Sequence, residues 1–159
     1  MVDPELIFLH RDCKGSGRWL EPALERIGRM SHRFDGNDEG LVTTVCKLHA
    51  EKSPALGLWV GVHEDRIVGH ALAQIQQYDG RWVVWLTQVE GDVPVGSAYR
   101  DRVLAAIEEW AAQFNASFKA QGIHVTEMLM STPRMTSAWP RHSGFEPLRV
   151  IHRRPMRFA

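Results

Sequence analysis

From Arg134 to the last residue the chain carries six arginines, at 134, 141, 149, 153, 154 and 157, against one acid, Glu146. Guanidinium groups bind phosphate oxygens through paired, charge-assisted hydrogen bonds, so one chemistry this run offers is an anion site, for the phosphates of a cofactor or of a nucleic acid. The simpler reading is an edge strand whose charges oppose aggregation, and it is preferred. The thiols offer less. Cys13 and Cys46 are far apart and form no C-x-x-C pair, which argues against a zinc site and a disulfide framework. Each is expected to be a small, buried or half-buried filler. The eight histidines are scattered without H-E-x-x-H or comparable ligand spacing, so no metal is expected.

The formal net charge is zero, which excludes a chain that holds nucleic acid by its overall charge. With 159 residues, of which 44% are apolar, one domain spanning 1–159 is the simplest organisation, large enough to build a core without staples. No apolar run reaches the ~18–20 residues that cross a bilayer. "MVDPELIFLHRD" places acids ahead of a few apolar residues, unlike a signal peptide, so a cytoplasmic protein is expected.

The elements that must position any chemistry follow from periodicity. "ELIFLH" reads as a short first strand. Leu20, Leu24, Ile27, Met30 and Phe34 recur at helical spacing over Arg18–Phe34, and "LVTTVCKLHAE" continues as a second helix. Three strands follow, Leu58–His63, Ile67–Gln77 and Trp82–Glu90, joined by the tight turn "EDR" and by Asp79-Gly80, a strong hairpin signal. Tyr99, Val103, Ile107, Trp110 and Phe114 mark one face of the clearest helix. "HVTEMLMS" is a strand candidate, "RMTSA" a short helix, and Phe145–His152 a last strand. Gly144 suits a left-handed helix end, and Pro140 pushes Trp139 away from helical geometry. The order β-α-α-β-β-β-α-β-α-β means an α/β domain with a mixed sheet.

This order, with "LWVGVHEDRIVGHALAQIQ" in its meander, "AIEEWAAQF" in its central helix and "SGFEPLRV" at its end, resembles the GNAT superfamily of acetyl-CoA-dependent N-acetyltransferases. The resemblance covers most of the chain. It implies a single-domain GNAT-like fold, a mixed, mostly antiparallel sheet flanked by helices. It also implies acetyl-CoA as cofactor, with its pyrophosphate on backbone amides at a helix N-terminus.

That place is "VEGDVPVGSAYR". The family pattern is glutamine or arginine, two residues, glycine, one residue, then glycine or alanine. Two registers approach it, each with departures: "VPVGSA" has Val93 in the first place and Ala98 in the last, and "VGSAYR" has Val95 first and Arg100 where a small residue is expected. The implied cofactor residues are Val89, Val95, Gly96, Ser97, Ala98, Tyr99 and Arg100. Proton handling needs a base for the attacking amine and an acid for the thiolate. The resemblance gives the base to Glu90. The family's usual acid, a tyrosine four residues before the glycine of "GF", is replaced by Pro140, which leaves Ser143 or His142. His142 has the more suitable intrinsic pKa.

Three functions stay in play. The first is acetyl transfer to an amine, carried by a small molecule or a peptide, through direct attack. The second is a GNAT-fold protein without catalysis, serving as a binding or structural component of a virion or a regulatory system. The third is a single-strand nucleic-acid module built from Arg149, Arg153, Arg154, Arg157 and Trp139, which the zero net charge disfavours. A homodimer is left open.

Overall fold

The computed structural model describes residues 3–9, 16–31, 38–92, 97–130 and 144–145. Its elements run β1 (Glu5–Phe8), α1 (Ser16–Ser31), α2 (Asp38–Ala50), β2 (Leu56–His63), β3 (Arg66–Tyr78), β4 (Arg81–Gly91), α3 (Ser97–Phe118), a 3₁₀ turn (Lys119–Gln121) and β5 (Met128–Met130). Up to β5 this is the order expected from periodicity. The "RMTSA" helix and all but the first residue of the Phe145–His152 strand lie outside the described residues. So do Cys13 and the six C-terminal arginines. Gly144 has φ 80°, the left-handed conformation expected of it, and Phe145 packs against the core on the α3 side.

The five strands lie in the order β1-β2-β3-β4-β5. The first three pairings are antiparallel, and β4 pairs with β5 in parallel. Two-residue turns make the antiparallel hairpins possible. Glu64 and Asp65 (φ 47° and 59°) join β2 to β3, and Asp79 and Gly80 (φ 52° and 74°) join β3 to β4. Both residues of each turn have positive φ, as in the turn whose twist matches the strands. The parallel β4–β5 pair requires a crossover, and α3 supplies it.

Side chains alternate across a strand, so the sheet divides the core in two. One face carries Trp59, Ala71, Ala73, Val84 and Leu86 against Tyr99, Val103, Ile107, Trp110 and Phe114 of α3. The other carries Leu58, Val60 and Leu72 against Trp19, Ala23 and Ile27 of α1 and Val45 of α2.

Two expectations need correction. Cys46 is exposed on α2, because Val45 is the residue that α2 turns toward the sheet. The "HVTEMLMS" strand is shorter than its composition suggests, only Met128–Met130. The Asn115 side chain of α3 donates to Val125 O at 2.8 Å and accepts from Val125 N at 2.7 Å. Those bonds occupy the backbone groups that a ladder would need.

One irregularity decides where the chemistry goes. On β3, Leu72 and Ala73 are consecutive, yet their partners on β4 are Gln88 and Leu86. Thr87 is therefore an extra residue, a β-bulge. Simple alternation from Leu86 would place Gln88 and Glu90 on the α3 face. The bulge turns both toward α1.

Candidate active site

Beyond the bulge, Glu90 is the cross-strand partner of His70, and Gln88 that of Leu72. These polar side chains meet α1 where Arg26 and Ile27 come down on the sheet. Gln88 Nε2 donates to the carbonyl oxygen of Ile27 at 3.2 Å, and Gln88 Oε1 lies 2.8 Å from His70 Nε2. His70 is 1% exposed. Burial is the main cause that lowers its pKa below the usual histidine range, reinforced by the Arg26 charge and opposed by Gln88, Glu90 and Asp92. The imidazole is held neutral.

Arg26 closes the other side of the carboxylate. One guanidinium nitrogen donates to Ile67 O at 3.2 Å. The other lies 3.1 Å from Asp92 Oδ1 and 3.5 Å from Glu90 Oε2. Its side chain is only 11% exposed, so the pair with Glu90 is partly shielded from water and counts for more than a surface ion pair. Among the described residues, Arg26, Arg29, Met30, Glu90 and Asp92 line a cavity of about 290 Å³. Glu90 thus stands with Arg26 on one side and His70 Nδ1, 3.6 Å from its Oε2, on the other. A carboxylate at the wall of a cavity, oriented by two neighbours, has the position of a general base.

The first turn of α3 sits at the same end of β4, on the opposite face. Tyr99 is buried, and a Cβ on Gly61 would lie 2.3 Å from its hydroxyl oxygen and one on Gly69 3.1 Å away. Gly61 and Gly69 are cross-strand partners, and Gly69 pairs in turn with Gly91. Gly61 and Gly69, without side chains, therefore make the floor on which the phenol rests. Burial raises the Tyr99 pKa to about 12. Of the residues that the resemblance assigns to the cofactor, Ser97 begins α3 and Ala98 is exposed. Val89 packs into the core on the α3 side. Arg100 is half-buried, and its buried Nε lies 3.5 Å from Asp101 Oδ1 without a hydrogen bond among the described residues. Val95, Gly96 and His142 lie outside the described residues.

Sequence reasoning singled out Glu90 and missed Arg26, His70, Gln88 and Asp92. A signal was present for one of them. His70 interrupts the apolar run Ile67–Ala73, where a buried polar group needs a partner.

No protein-family model matches the sequence, and no curated protein matches it either. Solved structures do match in fold. AAC(6')-Iy in complex with the bisubstrate analogue CoA-S-monomethyl-acetylneamine superposes with a TM-score of 0.60 at 17% identity, covering 98% of this chain and 99% of that one. A predicted acetyltransferase with acetyl-CoA from Clostridium acetobutylicum gives 0.58 at 11% identity, over 95% and 96% of the two chains. An aminoglycoside acetyltransferase from an uncultured soil metagenomic sample, in complex with sisomicin, gives 0.57 at 13%, over 97% and 96%. At these identities the likeness is one of fold, and it spans nearly the whole chain. The chain has the GNAT acetyltransferase fold.

Proposed function

We propose that the protein is an N-acetyltransferase that moves the acetyl group of acetyl-CoA to an amine by direct attack. The observation that carries this reading is Glu90, turned by the Thr87 bulge toward a cavity and held between Arg26 and His70. The amine must be neutral to attack, and Glu90 takes its proton. The new bond joins the amine nitrogen to the acetyl carbon, and the carbon–sulfur bond breaks. Return of a proton to the thiolate is assigned to His142, which stands in the sequence near Pro140, the place of the family's acid, and has a suitable intrinsic pKa.

The start of α3 suits a pyrophosphate. The first turn contains no acidic residue, its orphan amides and dipole favour an anion, and the half-buried guanidinium of Arg100 adds a positive charge nearby. We assign the pyrophosphate to the amides of the Gly96–Ala98 segment, with Arg100 as a charged neighbour. Acetyl-CoA, when bound there, supplies the activated acyl group. For the acceptor we propose a small-molecule amine, the class that includes the aminoglycosides named with one of these fold neighbours.

The test is binding before turnover. A ligand at 100 times its dissociation constant stabilises a fold by about 2.7 kcal/mol, which for a chain of this size is a rise in melting temperature of roughly 5–10 °C. Millimolar acetyl-CoA is expected to produce that rise. A flat thermal profile together with flat calorimetry would remove the enzyme reading and leave a fold without its cofactor.

A further inference from the structure

We propose that His70 is a positioning residue for the base: it receives the hydrogen bond of protonated Glu90 at Nδ1, so that the proton taken from the acceptor amine is held between the two side chains. The proposal rests on the acetyl-transfer reading for its purpose, but its geometry stands without it.

The first step is the tautomer. A backbone carbonyl only accepts, so the group of Gln88 that faces Ile27 O must be its NH₂. Its oxygen is then what meets His70 Nε2 at 2.8 Å. A contact that short between two acceptors would be repulsive, so Nε2 carries the hydrogen. Nδ1 is left with a bare lone pair. It is buried and has no hydrogen-bond partner among the described residues, and it faces Glu90 Oε2 at 3.6 Å.

The second step concerns that distance. An ionised carboxylate and a bare Nδ1 are both acceptors, and the 3.6 Å between them is too long for a hydrogen bond. One added proton changes the relation. Glu90 in its acid form becomes a donor aimed at Nδ1, and the two atoms can close to ordinary hydrogen-bond distance. Whether the proton rests nearer oxygen or nitrogen, it lies between them.

The charged groups around the imidazole give the device a reason. Glu90 and Asp92 face it from β4 and Arg26 from α1. Arg26 stands on one side of the Glu90 carboxylate and Nδ1 of His70 on the other, 3.6 Å from Oε2, so a proton placed on that oxygen has an acceptor beside it. Burial keeps the ring neutral and its lone pair available, whereas an exposed histidine would lose that lone pair to a proton in acid.

The first measurement needs neither cofactor nor acceptor. Long-range nitrogen–proton NMR on the full chain at pH 7–8 should show His70 as the Nε2–H tautomer. In Glu90→Gln, whose amide N–H supplies the missing donor, the Nδ1 resonance should shift. An Nδ1–H tautomer or an imidazolium in that range, or an Nδ1 resonance that ignores Glu90→Gln, overturns the proposal even if the protein acetylates amines. The second measurement uses turnover. His70→Gln keeps a donor toward Gln88 but has no acceptor at the Nδ1 position, and should lower kcat about 100-fold with little change in the acceptor KM. The acidic limb of its pH–rate profile should move. His70→Asn, which offers an oxygen near the Nδ1 position, should recover part of the loss. Equal losses in both variants with an unmoved pH profile would mean a structural histidine only. If the wild type transfers no acetyl group, the enzyme reading fails, and the NMR result still decides whether the proton site exists.

Discussion

A tyrosine laid over glycines shows how single residues set the geometry of this molecule. Tyr99 belongs to the apolar face of α3, but its hydroxyl ends above Gly61 and Gly69 with no hydrogen-bond partner among the described residues. A buried, unsatisfied hydroxyl costs about 1–3 kcal/mol, so Tyr99→Phe should fold at least as stably as the parent. The same burial raises the folded pKa from 10.0 to about 12. The folded state then holds its proton when the unfolded chain has released it. This contribution is fully present below pH 10 and fades as pH rises toward 12. Urea midpoints measured from pH 8 to 12 should therefore fall less steeply in Tyr99→Phe than in the wild type. Parallel curves, or a variant weaker by more than about 1 kcal/mol, would mean that the hydroxyl has a partner.

At the scale of elements, α3 combines two requirements that pull apart at its first turn. Its apolar face must dock on the sheet, and its N-terminal amides must stay open to an anion under the proposed function. Ala98, small and exposed, meets both. In a free helix a glutamate there would be stabilising by roughly 0.3–1 kcal/mol, through attraction to the positive end of the dipole. Ala98→Glu should therefore raise or preserve the melting temperature while abolishing acetyl-CoA binding, by bulk and by like charge. Calorimetry and thermal unfolding on the same sample separate the two effects. Unaltered affinity would move the phosphate site away from this helix. The face itself was legible: Tyr99, Val103, Ile107, Trp110 and Phe114 are all buried, since a helical period fixes which residues share a side whatever they pack on.

For the whole molecule, the sheet is the shared wall of two cores. Trp19 reports on the α1/α2 side, and Trp59 and Trp110 on the α3 side, the last two in edge-to-face contact at 5.5 Å. Leu58 is fully buried on the α1/α2 side, directly beside Trp59 on the other. Leu58→Ala should cost about 2–5 kcal/mol. Because neither helical layer has a sheet of its own, both cores should fail together. Tryptophan fluorescence and far-UV circular dichroism should give coincident urea transitions, displaced equally by the substitution. Two separated transitions, with only one displaced, would show that the layers unfold independently.

The sequence by itself determined the buried face of α3, the three-strand meander and the turn at Asp79-Gly80, because each depends on neighbours a few residues away, whereas on α1 the sheet buries Trp19, Ala23 and Ile27 and leaves Leu20 and Leu24 half-buried. It also singled out Glu90, through the resemblance. It did not determine which way Glu90 points. Counted from Leu86, alternation would send that carboxylate into the apolar core beneath α3, and only the pairing of β4 with β3 creates the extra residue at Thr87 that turns it to the cavity. The same holds for its companions. Arg26 and Glu90 are 64 residues apart in the chain, and His70 and Gln88 are 18 apart. Nothing local marks them as neighbours. A bulge and a polar cluster are properties of how strands and helices meet, and that meeting is settled by the competition among all the apolar faces for one buried surface.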